Sequence, residues 1–275
     1  MVCFLFTCAG FLTSVQAEPA DSVHASQTAG TAQSSTLAAL DHLISDFWHD
    51  TKSVVFAPIH WQKKDWLVCA GVGAVTFGLL ATDRDVEAEI SRRRSNFTDD
   101  LARLVTPLGS REGASLAMGG LYIGGVLFRH PTSRRAAWNS FKAVAISQGI
   151  TQVLKHGLNR RRPGALQRPG HFDGPTWHSP ETGLSFPSGH ATTAFALASA
   201  ISNTYRKPYV TIPAFTLAGT VALARLNDFV HFPADVFFAA AVATWVGQVV
   251  SLEKGERKVH VAVLSGGKVG FVLRF

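Results

Sequence analysis

Residues 187–200 read PSGHATTAFALASA. After Ser188-Gly189 every residue through Ala200 is compatible with a helix, so the stretch places a helix start at the Ser-Gly pair. Free backbone N–H groups and the helix dipole at such a start attract an anion. Gly189 lets the backbone approach a ligand closely, and the Ser188 hydroxyl can cap the helix or donate to the ligand. His190 then stands where it can protonate a departing alkoxide. An ordinary Ser N-cap accounts for Ser188 but leaves the adjacent His without a reason.

Working outward, apolar or small-residue runs of helical character occur at 66–82, 114–129, 135–155, 190–205, 208–224 and 234–252. Breakers or charges separate them: Pro107 with Gly109, Pro131, Pro163 and Lys207-Pro208. Six helices without a strong internal strand predict an all-α bundle of about six core helices. Upstream, Leu37, Leu40, Leu43, Ile44 and Phe47 recur at helical spacing, giving an amphipathic helix that ends near Asp50. At the other end, Val259, Val261 and Val263 alternate, as do Val269, Phe271, Leu273 and Phe275, around Gly266-Gly267. This pattern predicts a terminal β-hairpin.

The domain reading follows. Residues 1–17 hold an apolar stretch and a small-residue site at Val15-Gln16-Ala17, as in a signal peptide, without Lys or Arg ahead of it. Residues 18–35 are Ala-, Ser-, Thr- and Gln-rich and read as a flexible linker. The helical domain is 36–254, and 255–275 is the tail. Cleavage of the leader would remove Cys3 and Cys8 and leave Cys69, which reads as a small core hydrophobe.

Composition constrains the partners. Net charge is +7 and mean hydropathy is +0.15 over 275 residues. The positive charge suits phosphate groups or anionic lipids. No basic stripe interleaved with aromatics points to nucleic acid, so no nucleic-acid partner is expected. The run at 234–252 is the best candidate for a membrane span, whereas those at 66–82 and 114–129 are short. If all six helices span, Arg129, Arg134, Arg135, Arg206, Lys207, Lys254, Arg257 and Lys258 collect at the end opposite Lys155 and His231. The positive-inside rule then turns the site outward. A cleaved leader with six crossings turns it inward, and an exported bundle that is soluble or peripheral avoids the conflict.

Two further segments join 187–190 in carrying chemistry: Lys155-x6-Arg162-Pro163 and Arg225-x5-His231-x3-Asp235. Phosphoester hydrolysis needs charge neutralisation on phosphate oxygens, an in-line nucleophile and a proton for the leaving group. Lys155 and Arg162 lie within one or two turns of each other and can reach one site. A basic helix C-terminus complementing the dipole explains Arg160 and Arg161 well enough. Arg225 ends the fifth run. Asp235, four residues after His231, can bond one ring nitrogen and leave the other free to attack phosphorus. A loop His near a helix-start Asp is the plainer alternative. His and Asp alone are too few ligands for a structural metal site, so none is expected. The connector 164–186 is long and polar and reads as a lid over the site. His171 and His178 within it read as surface residues, and the charged cluster from Asp83 to Arg94 as a solvated face.

With these three segments in this order, the chain resembles the type 2 phosphatidic acid phosphatase and vanadium haloperoxidase superfamily. The motifs cover 155–235, and the helix pattern from 66 to 252 is compatible. The resemblance implies a phosphohistidine formed on His231, Asp235 orienting it and His190 as general acid. Lys155, Arg162, Ser188, Gly189 and Arg225 would hold the phosphate, with no metal and no cofactor. The family's Ser before the last Arg is Ala224 here, which predicts reduced or altered activity. The implied activity is hydrolysis of phosphomonoesters or diphosphates, lipid-linked ones such as phosphatidate, phosphatidylglycerophosphate, polyprenyl diphosphate or lipid A. The alternative is a vanadate-dependent haloperoxidase in which His231 ligates vanadium. The expected location is the cell envelope, exported or membrane-associated, with the site outside the cytoplasm.

Overall fold

The computed structural model describes residues 41–165, 168–177 and 183–252, plus strands Ala262–Leu264 and Lys268–Gly270. The expected leader and linker lie outside the described residues. The chain divides into two units, Met1–Trp48 and His49–Phe275. In the first, residues 41–48 are helical. In the second, a helical segment α1 (49–55) is followed by α2 (Lys63–Arg93), α3 (Asn96–Val105), α4 (Arg111–Leu127), α5 (Pro131–Leu158), α6 (Gly189–Tyr205), α7 (Pro208–Asn227) and α8 (Pro233–Ser251). The unit is an all-α bundle, as its sequence predicts. The two short strands pair antiparallel, Val263 opposite Val269, at the hairpin the alternation predicts.

α6 is the central helix and packs against α5, α7 and α8. Its small residues permit this. Ala191, Ala194, Ala196, Ala198 and Ala200 are all buried, distributed over three apolar clusters shared with its neighbours. α6 and α8 approach closely at Gly247, where an added Cβ would lie 2.6 Å from Ser199 Cβ. A larger residue there would force its neighbours to shift.

Three elements differ from the sequence expectation. The first predicted run, 66–82, extends to the 31 residues of α2 because Asp83–Arg93 continues the helix instead of ending it. The residues between the first two predicted runs therefore hold the end of α2, all of α3, a 3-10 turn, Thr106–Gly109, and the start of α4. The signal for α3 is Ser95, whose side chain caps the helix reciprocally with Thr98. The segment predicted to stop near Asp50 stays helical through residue 55.

Three described helices, α2, α7 and α8, are long and apolar enough to cross a membrane. Only 6% of the apolar window of α2 is buried, and Leu67, Val75 and Phe77 face outward. Cys69 is exposed on this helix, so it is not the core residue expected. The outer face of α7 carries Tyr209, Ile212, Leu217 and Leu223, all exposed. Apolar residues on the uncovered faces of long helices are the pattern of contact with lipid, and the chain is membrane-associated.

Candidate active site

The three sequence segments converge at one end of the bundle: the C-terminal ends of α5 and α7 and the N-terminal ends of α6 and α8. α5 ends at Leu158, where Asn159 takes a left-handed conformation (φ 44°) and caps the helix on Lys155 O. The helix thus stops four residues before the Arg162-Pro163 pair. The following residues fold back along it: Arg161 N donates to His171 O, Asp173 N to Asn159 O and Thr176 N to His156 O. Returning toward α6, the connector presents its carbonyls to the cations. Lys155 Nζ donates to Leu184 O, and Arg162 Nε donates to Gly183 O at 3.3 Å.

Ser188 is the N-cap of α6, with its hydroxyl accepting from Ala191 N, and its own N–H donates to Asp235 O at 3.0 Å. This bond ties the starts of α6 and α8 together. A Cβ at Gly189 would stand 4.0 Å from Lys155 Cε, which places the glycine beside the lysine. Gln148 on α5 fixes the first turn of α6 by donating to Gly189 O (2.8 Å) and to Thr193 Oγ1 (2.7 Å). Gly109, in the 3-10 turn, abuts His190. A Cβ there would lie 2.9 Å from His190 O and 2.7 Å from Val221 Cγ1.

Arg225, at the end of α7, donates through Nη2 to Thr106 Oγ1 and to Asp228 Oδ2. Its Nε is buried with no hydrogen-bond partner among the described residues, which leaves a donor available to a ligand. One residue earlier, Ala224 is buried in an apolar cluster with Ala102, Val105, Ala194, Ala198, Ala218 and Val221.

His231 and Asp235 are both buried and meet at the start of α8. His231 Nδ1 lies 3.6 Å from Asp235 Oδ2 and 3.4 Å from Ser185 Oγ. The same carboxylate oxygen accepts from Ser185 Oγ (2.5 Å) and Phe232 N (2.9 Å). Its other oxygen, Oδ1, accepts from Arg160 Nη1 at 2.6 Å. Arg160 Nη2 in turn donates to Asp83 Oδ2 at 2.6 Å, and Asp83 Oδ1 accepts from Ala234 N at 3.1 Å.

This chain of contacts corrects two expectations. Asp83 is buried, whereas Glu89, Arg92 and Arg93 further along α2 form the exposed ion pairs expected of a solvated face. Arg160 is buried between two carboxylates and is no surface complement to a helix dipole, whereas Arg161 makes a part-exposed pair with Asp173. Sequence reasoning also passed over Ser185, Gln148 and Thr106. The one signal for Asp83 was a carboxylate closing an otherwise apolar helical run.

The site's electrostatics follow from burial and from its crowd of cations. Burial pushes His231 down to about 4 against the opposing pull of Asp235. His190 is also pushed down to about 4, first by burial and then by Arg225, Arg162 and Lys155. Burial and the neighbouring Arg162 lower Lys155 to about 8. An anion entering this pocket meets cations held close to one another without enough negative charge nearby.

Residues 136–257 match the PAP2 superfamily model, so this segment of the chain is similar to that superfamily. It is 30% identical over 108 residues to the lipid A 1-phosphatase of Porphyromonas gingivalis, covering 38% of this chain and 21% of that protein. It is 32% identical over 128 residues to the decaprenylphosphoryl-5-phosphoribose phosphatase of Mycobacterium tuberculosis, covering 46% of this chain and 66% of that protein. The chain thus spans between a fifth and just under two thirds of the length of these two curated relatives. The crystal structure of the first transmembrane PAP2 type phosphatidylglycerolphosphate phosphatase from Bacillus subtilis shares the fold. Its TM-score is 0.50 at 21% identity, over 66% of this chain and 92% of that one.

Proposed function

We propose that this chain is a membrane-associated phosphatase that removes phosphate from lipid-linked monoesters or diphosphates through a phosphohistidine on His231. The observation that carries the reading is the pairing of His231 Nδ1 with Asp235 at the start of α8, in a pocket that also collects Lys155, Arg162, Arg225 and His190. The named activities of the superfamily relatives, on lipid A and on a decaprenyl-linked phosphoribose, supply the substrate class.

In this scheme Lys155, Arg162 and Arg225, with the N–H groups at the Ser188-Gly189 helix start, hold the phosphate oxygens. They are aimed where charge concentrates as the phosphoryl group transfers. Asp235 holds the Nδ1 proton of His231, so Nε2 is the nitrogen with a free lone pair. Nε2 forms a bond to phosphorus as the bond from phosphorus to the leaving oxygen breaks, and His190 gives that oxygen its proton. Water then attacks the phosphohistidine and passes a proton to His190, releasing inorganic phosphate and regenerating His231. The side-chain cations neutralise the phosphate, so the scheme calls on no metal.

His190 is neutral at pH 7 while the pocket holds only its cations. A bound phosphate dianion reverses the local potential and raises His190 toward the protonated form the scheme requires. Orientation follows from α7 and α8. If these cross the membrane, Arg225 and His231 lie at one end and Arg206 and Lys207 at the other. The positive-inside rule puts Arg206 and Lys207 in the cytoplasm and the site outside it.

The test is phosphate release by the purified chain in detergent micelles, with chelator present. The panel would be phosphatidate, phosphatidylglycerophosphate, polyprenyl diphosphate, lipid A and p-nitrophenyl phosphate. Release from at least one lipid, faster than from p-nitrophenyl phosphate, is expected. No release from any of them contradicts the reading.

A further inference from the structure

We infer that Asp83 and Arg160 are positioning residues for the His231–Asp235 pair, an ion-pair relay that makes the site depend on helix α2. The inference rests on the phosphohistidine reading above. Asp83 lies outside residues 136–257, the part of the chain that matches the superfamily.

The geometry gives each residue a distinct task. Arg160 holds Asp235 by Oδ1, the oxygen turned from the imidazole, and leaves Oδ2 to His231, Ser185 and Phe232 N. Its guanidinium also lies over the Phe232 ring, 4.3 Å from the centroid, and donates through Nε to Gly170 O. Asp83 grips the other edge of the same guanidinium and receives Ala234 N, one residue before Asp235. Together the two residues touch Phe232, Ala234 and Asp235, so they fix the backbone turn that carries His231.

Charge explains why both are needed. Arg160 alone would anchor Asp235 but would cancel the negative field the carboxylate offers to His231. Asp83 neutralises Arg160, so Asp235 keeps a net negative charge facing the imidazole. All three side chains are 3% exposed or less, where unpaired charge is costly and paired charge strongly felt. The charges acting directly on His231 are Asp235 on α8, Lys155 on α5 and Arg162 beyond it, with the Ser185 hydroxyl beside them. Asp83 acts only through Arg160 and Asp235.

The test uses the full-length chain in detergent with Asp83→Asn, which removes a charge at constant shape, and Arg160→Lys, which keeps the charge and loses the fork. Histidine-labelled NMR spectra, with His231→Gln to assign the resonance, give the titration midpoint of His231, and kinetics on p-nitrophenyl phosphate give kcat and KM. For Asp83→Asn the uncompensated Arg160 should lower the His231 midpoint and reduce kcat about tenfold, with KM changed by less than about twofold. For Arg160→Lys kcat should fall without a comparable shift in the midpoint. Folded variants with unchanged kcat and unchanged midpoint would overturn the assignment, whatever their melting temperature. A wild-type chain without phosphatase activity would defeat the functional reading alone, since the NMR midpoint still decides the relay.

Discussion

Ser185 Oγ lies 2.5 Å from Asp235 Oδ2, closer than the His231 imidazole at 3.6 Å. The serine therefore sets where that carboxylate oxygen points, and the histidine fits against an acceptor already held. Ser185→Ala removes one donor and leaves Phe232 N as the backbone support of Oδ2. The carboxylate gains freedom to rotate. Activity should fall about three- to tenfold in kcat with KM little changed, read from initial rates on p-nitrophenyl phosphate.

Arg225 is gripped by Thr106 and Asp228 and still has a buried Nε without a partner among the described residues. Its fork geometry is what a lysine cannot reproduce. Arg225→Lys should lower kcat/KM about a hundredfold and weaken inhibition by inorganic phosphate. Thr106→Val, which frees the guanidinium on one side only, should cost less than tenfold. An Arg225→Lys variant with wild-type phosphate inhibition would remove this arginine from the anion site.

Stability should depend on pH through the buried His231 and the half-buried His190. Both have folded-state values depressed to about 4 from an unfolded value of 6.5. The unfolded chain then binds more protons than the folded one between these limits. The stabilisation is complete above about pH 6.5 and is lost as pH falls toward 4. Thermal unfolding followed from pH 7.5 down to 4.5 should show a falling midpoint, and His190→Gln should flatten that slope.

Gly247 marks a close contact between α8 and α6 that a single methyl group would disturb. Its added Cβ would meet Ser199 Cβ at 2.6 Å and Ala200 N at 3.1 Å. Gly247→Ala should therefore destabilise by roughly 1–3 kcal/mol through overpacking, seen as a lower melting temperature with little change in KM.

Much of this site could be read from the sequence because the groups that would contact phosphate sit at fixed spacings around helix ends. Ser188-Gly189 before a small-residue run fixes an N-terminus, and His231-x3-Asp235 fixes an i, i+4 pair. What stayed illegible is the support behind them. Asp83 and Arg160 are 77 positions apart, and nothing local in either segment announces that they meet in the interior. Charge runs usually face solvent, and here one member of each run turns inward while its neighbours stay out. Likewise α3 escaped because it is only ten residues long and follows a charged stretch, although Phe97, Leu101 and Leu104 recur at helical spacing and Ser95–Thr98 cap its start. The reach of α2 was misjudged because its charged end, read as a boundary, continues the same helix.

The central claim is that phosphate passes through His231. It is tested most directly by mixing the chain with radiolabelled substrate and quenching in alkali, where a phosphohistidine survives. The account predicts label on His231 in the wild type, none in His231→Ala, and more label in His190→Ala with a substrate whose leaving group needs no proton. Undiminished phosphate release by His231→Ala, or label on any other residue, would contradict it.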